Sequence, residues 1–405
     1  MPAGFRRALI FAAALAVLLC AVAFASVQMP VFAIPGFADR GLQVATVSRL
    51  SDGGALLAGS MSDRAQSPRW RPVLVRLLLD GSIDLAYGNL GISQPRLGPS
   101  TRAISLAANP GSADAWVGVI GPQQRGGIIA LNGTGSRQKH FGRGGILQLG
   151  ADNAPVALAW APGQLLIASG SKPCAGCQLT VVNPSTGQVT VKGTIALDGP
   201  AVSKACARGA VTSAVLVGGR TVQLAFLGGK GCAAQIVTVT ISRSGRQASL
   251  NTTVATPLTL PSAPTASLDA AFGSSICAAA SSQAKTVLGA LSARAFSPLT
   301  APGGRLAGLV ALGGGACAGL ITTASGFGGV VVQASGTQRS VTRDTVPGSV
   351  RPLSMFRCHA HLLVIGARAR PSGVHGMVVV IPVRRGPGAG AMSADVALAS
   401  GRCAS

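Results

Sequence analysis

Glutamate is absent from this sequence, and the 11 acidic residues among its 405 positions are all aspartates. Most glycoside hydrolases need two carboxyl groups flanking the bond they cleave, and this chain supplies few. Two other signatures are missing, the Gly-x-Ser-x-Gly turn of serine hydrolases and the Gly-Lys-Ser/Thr phosphate loop. These absences favour a non-catalytic protein over an enzyme.

Aromatic residues are scarce, at 4% of the chain, although 48% of it is hydrophobic and glycine occurs 55 times. The apolar content is ample for a core, which excludes a disordered chain. No stretch after residue 27 has a sustained helical period. Short apolar alternations, separated by turn signals such as Asp52-Gly53 and Asp80-Gly81, indicate a nearly all-β protein.

Negative charge is in short supply beside 34 lysines and arginines, which leave a formal net charge of +23. Codon usage in a GC-rich genome is one explanation of the arginine excess, and a polyanionic partner is the other. Basic residues are not interleaved with aromatics, so no specific nucleic-acid partner is predicted. We expect an anionic cell-envelope polymer or membrane surface as partner. Arginines in apparent turns are predicted to lie on rims rather than on inner strands: Arg64, Arg69, Arg71, Arg96, Arg102, Arg339, Arg343, Arg384 and Arg385.

Residues 1–25 have the plan of a secretory signal peptide. A basic start at Arg6 and Arg7 precedes an apolar run and the small-residue pattern Ala23-Phe24-Ala25. An uncleaved membrane anchor and a lipoprotein site at Cys20 are the alternatives. We therefore predict a secreted or extracytoplasmic protein, with retention by an uncleaved anchor as the variant, and a single domain over residues 26–405.

Eight cysteines follow the predicted signal peptide, and an even number in an exported chain indicates disulfides. A zinc site is less favoured, because the pair at 174 and 177 has no second such pair to complete four ligands. The predicted pairs are Cys174–Cys177, Cys206–Cys232, Cys277–Cys317 across adjacent blades, and Cys358–Cys403. Similar spacing of Cys277, Cys317 and Cys358 leaves other pairings open.

A phrase is repeated in the chain. Residues 77–92 read LLLDGSIDLAYGNLGI and residues 131–146 read LNGTGSRQKHFGRGGI, which aligns Tyr87 with Phe141. Weaker copies occur at Phe37–Leu42 and Ser267–Ile276. Repeats of 40 to 60 residues in a β-rich chain are typical of propeller blades or arrays. We interpret the copies as blade corners, in which the aromatic fills the gap between neighbouring sheets.

The phrase resembles the delta-60 repeat family of bacterial secreted proteins. The matching positions are Asp80, Gly81, Ser82, Asp84, Tyr87, Gly88, Gly91 and Ile92, and then Ser267, Leu268, Asp269, Phe272 and Gly273. The resemblance implies a β-propeller-like fold, and the family has no defined catalytic residues. We expect one propeller of about seven four-stranded blades, with units at 42–92, 93–146, 147–205, 206–272, 273–312, 313–354 and 355–403. The segment 27–41 is expected to add the outer strand of the last blade.

Metal binding has two weaker candidates. Asp80 and Asp84 share a loop, but calcium needs six to eight oxygen ligands. His359, His361 and His375 would form a three-histidine site if neighbouring strands brought them together; His140 is expected to be solvated. We assign no catalytic, cofactor-binding or metal-binding residue. The predicted function is a non-catalytic binding or scaffold module at the cell envelope; the alternative is an exported propeller hydrolase or lyase with a channel site.

Overall fold

The computed structural model describes residues 31–32, 42–62, 69–78, 83–98, 100–170, 174–175 and 178–194, and between residues 208 and 394 the strands given below. Strands are the predominant secondary structure of these residues, and the one helical element among them is a 3-10 turn at Pro122–Gln124. The predicted signal peptide and the copy at Phe37–Leu42 largely lie outside the described residues. Within the described part, no helix is long and apolar enough to cross a membrane.

The strands form seven antiparallel sheets, which we call blades 1 to 7. A short strand, β1 (Val31–Phe32), precedes them. Blade 1 contains β2 (Leu42–Arg49), β3 (Ala55–Ser62), β4 (Trp70–Leu77) and β5 (Ile92–Ser93). Blade 2 contains β6 (Arg102–Ala108), β7 (Ala115–Ile120), β8 (Gly126–Leu131) and β9 (Ile146–Gly150). Blade 3 contains β10 (Ala154–Ala161), β11 (Gln164–Gly170), β13 (Gln178–Val182) and β14 (Val189–Thr194).

The remaining blades follow the same order. A two-residue strand, β12 (Cys174–Ala175), joins the sheet of blade 4, which contains β15 (Arg208–Val217), β16 (Thr221–Leu227), β17 (Ala234–Ser244) and β18 (Gln247–Leu258). Blade 5 contains β19 (Ser267–Phe272), β20 (Ile276–Ser281), β21 (Thr286–Ser292) and β22 (Ala295–Ala301). Blade 6 contains β23 (Arg305–Gly313), β24 (Ala316–Thr323), β25 (Gly326–Ala334) and β26 (Thr337–Val341). Blade 7 contains β27 (Val350–Cys358), β28 (His361–Arg370), β29 (Gly373–Arg385) and β30 (Met392–Ala394), together with β1.

The first strands of the blades lie side by side in a closed circle. Each of β2, β6, β10, β15, β19, β23 and β27 contacts the next, and β27 contacts β2. The structure is therefore a seven-bladed β-propeller in which the first strands surround the centre, as the sequence predicted.

Two short strands, β1 and β30, complete blade 7. Val31 and Phe32 of β1 pair with Met377 and Gly376 of β29, and β30 pairs with β29 farther along. Residues from the segment 27–41 thus form an outer strand of the last blade, which confirms the sequence expectation. The covering of this edge removes unpaired backbone groups that would otherwise template association.

Antiparallel order divides the connections between two faces of the ring. Turns between first and second strands, and between third and fourth strands, lie on one face, which we call the hairpin face. Turns between second and third strands, and the links from blade to blade, lie on the other, the crossover face.

A β-bulge recurs near the crossover-face end of the first strand in six blades, for example between Val44 and Thr46 in blade 1 and between Ala103 and Ser105 in blade 2. In blade 2 the N–H of Ala103 donates to the Ser60 hydroxyl of blade 1 over 2.9 Å. The bulge therefore ties one blade to its neighbour. No sequence pattern indicated this feature.

The aromatic corners were predicted correctly for the two strong copies. Tyr87 and Phe141 are 1% and 0% exposed, and each packs in a core cluster shared by its own blade and the next. Each corner also docks on a turn of the next blade. The Gly88 N–H donates to the Thr134 carbonyl, and the Gly142 N–H donates to the Thr186 carbonyl, both over 2.8 Å.

The turns that receive the corners share an asparagine that the sequence analysis missed. The side-chain oxygen of Asn132 accepts from the N–H groups of Thr134 and Ser136. Asn183 accepts in the same way from Ser185 and Thr186 in blade 3. A signal was available, since NGTGS at 132–136 and NPSTG at 183–187 have similar asparagine, hydroxyl and glycine order.

The copy at Ser267–Ile276 is not a corner. Residues Ser267–Phe272 form β19, the first strand of blade 5, paired with β20 in regular register. The predicted units therefore drift after the fourth: blade 5 spans 267–301 rather than 273–312, and blade 7 begins at 350 rather than 355. Local resemblance to a turn phrase was outweighed by pairing with the next apolar run.

Cys277 and Cys317 form a disulfide between β20 and β24, with Cα atoms 5.7 Å apart, which confirms that predicted pair. Both are the second residue of the second strand of their blade. Cys358 instead ends the first strand of blade 7, so the similar spacing of the three cysteines does not place Cys358 at an equivalent strand position. The other three predicted pairs involve Cys177, Cys206, Cys232 and Cys403, which lie outside the described residues.

Candidate anion-binding site

The site begins with an outer strand that is unusually short. In blade 2, β9 pairs with β8 from Gly126 to Ile129. In blade 1, β5 pairs only Ser93 with Leu74 and Ile92 with Val75. The link that follows, residues 94–97, leaves β4 and opens a cleft beside its first half. Sequence order alone gave no reason to expect a strand of two residues.

Pro72 lies in the uncovered half of β4. The N–H and carbonyl of Arg76 bond to Gly91 and Asp84 on the outer side of β4. Because backbone groups alternate in direction along a strand, the backbone nitrogen and carbonyl of Pro72 face the same side. Proline lacks an N–H and protects an open edge against pairing with another strand. The cleft is thus open to side chains and ligands, while strand addition is disfavoured.

Two clefts flank the link. The first has a volume of about 630 Å³ and is lined by Arg69, Arg71, Pro72, Gln94, Pro95, Arg96 and Leu97. Its prolines are buried and all three of its arginines are exposed. No carboxylate is among the described residues that line it. The first cleft therefore has an apolar floor and a strongly positive wall.

The second cleft, of about 660 Å³, lies between the same link and the turn of blade 2, and Leu90, Arg96, Ser136 and Arg137 are among its lining residues. The Arg137 guanidinium donates to the Arg96 carbonyl. Guanidinium groups therefore extend from the first cleft across the link to blade 2.

Arg102 holds the neighbouring surface in place. Its guanidinium carbon lies 4.5 Å from the centre of the Trp70 ring, a cation–π contact between blades 2 and 1. Since the guanidinium lies over an indole that is 9% exposed, it adds positive charge beside Arg69 and Arg71, the two residues on either side of Trp70.

The predicted rim arginines divide into four groups. Arg69 and Arg96 lie in exposed connections, as expected. Arg71 and Arg102 are exposed but lie in strands, at the second residue of β4 and the first residue of β6; only β6 is an inner strand, so the prediction is wrong for Arg102. Arg339 lies in β26 and Arg384 and Arg385 end β29. Arg64 and Arg343 lie outside the described residues. A strand can carry arginine at its exposed end, which a turn-based prediction overlooked.

The Asp84 carboxylate forms an ion pair with Arg76. The carboxylate lies 3.3 Å from Arg76 Nε and accepts from the Ala86 N–H, while Arg76 also pairs with Asp52 over 2.8 Å. Asp80 lies outside the described residues. No group of three or more potential metal ligands occurs among the residues that the structure describes.

The histidines do not converge in the way that the three-histidine hypothesis required. His361 pairs with Pro382 at one end of β28 and β29, whereas His375 pairs with Arg368 toward the other end. Seven residues of extended strand separate these places, which is roughly 23 Å. His359 lies outside the described residues, and His140 is exposed, as expected.

The first strands around the centre carry little acid–base chemistry. Asp269 in β19 is the single aspartate or histidine within the seven described first strands. A channel enzyme would be expected to bring two or more such groups together on these strands. The alternative prediction of a channel hydrolase or lyase gains no support from them.

Comparison with known proteins shows a fold and no family. No protein-family model matches the sequence, and no curated protein matches it. Among solved structures, that of U3-55K has a TM-score of 0.51 at 12% identity, over 84% of this chain and 98% of that one. The likeness shows the fold alone.

Other structural neighbours include proteases. The β-propeller domain of the Trilobed protease from Pyrococcus furiosus has a TM-score of 0.48 at 7% identity, over 86% of this chain and 93% of that one. A prolyl endopeptidase structure has a TM-score of 0.48 at 14% identity, over 85% of this chain. The chain spans about half of that endopeptidase, 47% of its length.

Proposed function

We propose that this propeller is an exported, non-catalytic binding module for anionic polymers of the cell envelope. The observation that carries the proposal is the first cleft, where three exposed arginines surround an apolar floor and no described lining residue is acidic. Guanidinium groups bind phosphate, sulfate and carboxylate groups in bidentate fashion, which suits such a polymer.

A repeating polymer fits better than a single small anion. The cationic groups continue from Arg69 and Arg96 on blade 1 to Arg137 on blade 2, on both sides of the link. One small anion would engage only part of this row. A chain of anionic units lying across the link would meet the groups in succession, and each contact would release or displace counterions.

The first prediction concerns salt-dependent retention. The protein should be retained on an immobilised polyphosphate resin at low ionic strength, more strongly than on uncharged dextran, and should elute as salt rises. In the variant Arg69→Gln with Arg96→Gln, two contacts are lost. We expect the slope of log affinity against log salt to fall by roughly 0.7 for each contact removed.

The matched control removes the same charge elsewhere. Arg125 and Lys192 are exposed basic residues that line neither cleft. The variant Arg125→Gln with Lys192→Gln should keep most of the slope. Equal loss in both double variants would show that only net charge matters, and equal retention of the wild type on both resins would refute the proposal.

A further inference from the structure

The corner of blade 1, residues 83–91, exposes leucines to solvent. Leu85 is 64% exposed and Leu90 is 57% exposed. In the aligned corner of blade 2 their places are taken by Lys139 and Gly144. Because both corners fold the same way and bury their aromatic residue, the fold does not require the two leucines.

Leu90 is also in an unfavourable backbone conformation. Its φ is 52°, in the left-handed region, where the equivalent Gly144 has φ 63°. A branched side chain at positive φ is strained, and strain that persists without a structural benefit points to function. Leu90 combines that strain with the exposure of a large apolar side chain.

Positive charge lies next to these leucines. The corner of blade 2 carries exposed Lys139 and Arg143, and the two corners are joined through the Gly88 N–H and the Thr134 carbonyl. Arg137 lines the second cleft together with Leu90. The carboxylate of Asp84, in the blade 1 corner, is engaged by Arg76. The surface is therefore apolar on blade 1 and cationic on blade 2.

We propose that the corners of blades 1 and 2 form a docking surface for an anionic lipid bilayer. Leu85 and Leu90 enter the interface between headgroups and acyl chains, while Lys139 and Arg143 meet the anionic headgroups. Interfacial binding combines apolar insertion with attraction between basic side chains and anionic lipids. The bilayer offers both environments side by side.

A protein partner fits this surface less well. A stable protein interface buries about 800 Å² on each partner around an apolar centre. The described corner leucines project from one loop, and the neighbouring corner of blade 2 carries the exposed cations Lys139 and Arg143. A hydrated polymer fits less well again, because it has no apolar phase to receive leucine.

The test uses residues 26–405, which contain every described strand, and measures binding to vesicles of phosphatidylglycerol and of phosphatidylcholine. The key variant is Leu85→Lys with Leu90→Gly, which gives the corner of blade 1 the residues of blade 2. It adds one positive charge and removes two leucines. We expect binding to phosphatidylglycerol vesicles to fall about tenfold, because the variant loses two leucines that would insert partly into the bilayer.

Whether the double leucine variant binds vesicles more weakly or more tightly distinguishes apolar insertion from a purely electrostatic contact. A purely electrostatic contact would become tighter in this variant, and unchanged or tighter vesicle binding would overturn the proposal. Lys139→Gln with Arg143→Gln should also weaken binding to phosphatidylglycerol, because the headgroup contacts are lost. Should the double leucine variant fold poorly, Leu85→Gln alone changes a residue that is mostly exposed and gives the same decision. Retention of the Arg69→Gln and Arg96→Gln double variant on polymer resin is measured in a separate experiment. The polymer-binding proposal and the bilayer proposal can therefore fail independently.

Discussion

At the scale of one residue, Tyr87 occupies a repeated aromatic position with a side chain that is less favourable there than phenylalanine. Its ring fills the gap between blades 1 and 2, as Phe141 does between blades 2 and 3. Its hydroxyl, however, is buried and has no hydrogen-bond partner among the described residues. A buried hydroxyl without a partner reduces stability by about 1–3 kcal/mol, and phenylalanine at the equivalent position avoids this loss.

Tyr87→Phe should therefore stabilise the protein, by roughly 1 kcal/mol after losses of packing are allowed for. The rise should appear as a higher midpoint in urea with an unchanged slope. The gap around Tyr87 is already filled by the ring, and a Cβ placed on Gly135 would lie only 3.1 Å from the ring carbon Cζ, so no repacking is needed. A lower midpoint would mean that the hydroxyl is satisfied in a way that this structure does not contain.

The same residue predicts a dependence on alkaline pH. Burial raises the pKa of Tyr87 well above its ordinary value; the Arg76 charge opposes this rise and the Asp114 charge adds to it. The phenol ionises more readily in the unfolded chain, so its contribution to stability is complete below about pH 10 and is lost as pH rises further.

Tyr87 is the only tyrosine in the chain, so ultraviolet titration observes this group alone. In the folded wild type its absorbance change should coincide with unfolding. In Tyr87→Phe the alkaline loss of stability should be smaller. Ionisation of Tyr87 near pH 10 without unfolding would contradict the burial described above.

At the scale of the strand, β12 changes the expectation for the cysteines. Cys174 pairs with Gly209 and Ala175 pairs with Arg208, so a piece of blade 3 extends the sheet of blade 4. If the same antiparallel register continued by two more pairs, Cys177 would face Cys206. Directly opposed residues of antiparallel strands have a Cα separation suitable for a disulfide.

Peptide mapping under non-reducing conditions should find Cys277 linked to Cys317, and it distinguishes two alternatives for the partners of Cys177 and Cys206. The sequence predicted Cys174–Cys177 and Cys206–Cys232. The register of β12 favours Cys177–Cys206 instead, a link between neighbouring blades. Recovery of a short peptide linked internally at 174 and 177 would exclude the register-based pairing.

Strands and corners were also where sequence reasoning succeeded and failed. The phrase around Tyr87 identified a real corner because its glycines and aromatic serve the turn itself. The similar phrase at Ser267–Phe272 forms β19, because its alternating residues pair with β20. The cleft beside Pro72 was not predictable, since it arises from where β5 ends. That point depends on the path to the next blade rather than on local propensity.

For the whole molecule, the central question is how the ring is closed. The sequence predicted seven blades and an N-terminal contribution to the last one, and both are present. The exact unit boundaries could not be read from the degenerate later repeats. In those blades, apolar alternation is continuous across strands, so it indicates strands without indicating which one comes first.

Removal of β1 should weaken closure. A chain starting at residue 33 lacks the pairs of Val31 and Phe32 with β29, whereas a chain starting at residue 27 keeps them. Because few backbone hydrogen bonds are involved, we expect a loss of about 1–2 kcal/mol in unfolding free energy, with increased self-association at the exposed edge. Urea titration and light scattering of the two chains check this. Identical behaviour would show that β30 alone protects the last blade.

The pairing of β1 with β29 also determines when the ring can close during synthesis. Val31 is made 346 positions before its partner Met377 (377 − 31). The ring cannot close until blade 7 has been made. The Tyr87 side chain likewise stays uncovered until blade 2 has been made, because the turn that contains Gly135 and covers it belongs to that blade. Contacts so distant in sequence form slowly, and each unfinished blade presents an unpaired edge or an uncovered aromatic in the meantime. The newly made chain is therefore most prone to aggregation while most of its blades are complete and the ring is still open.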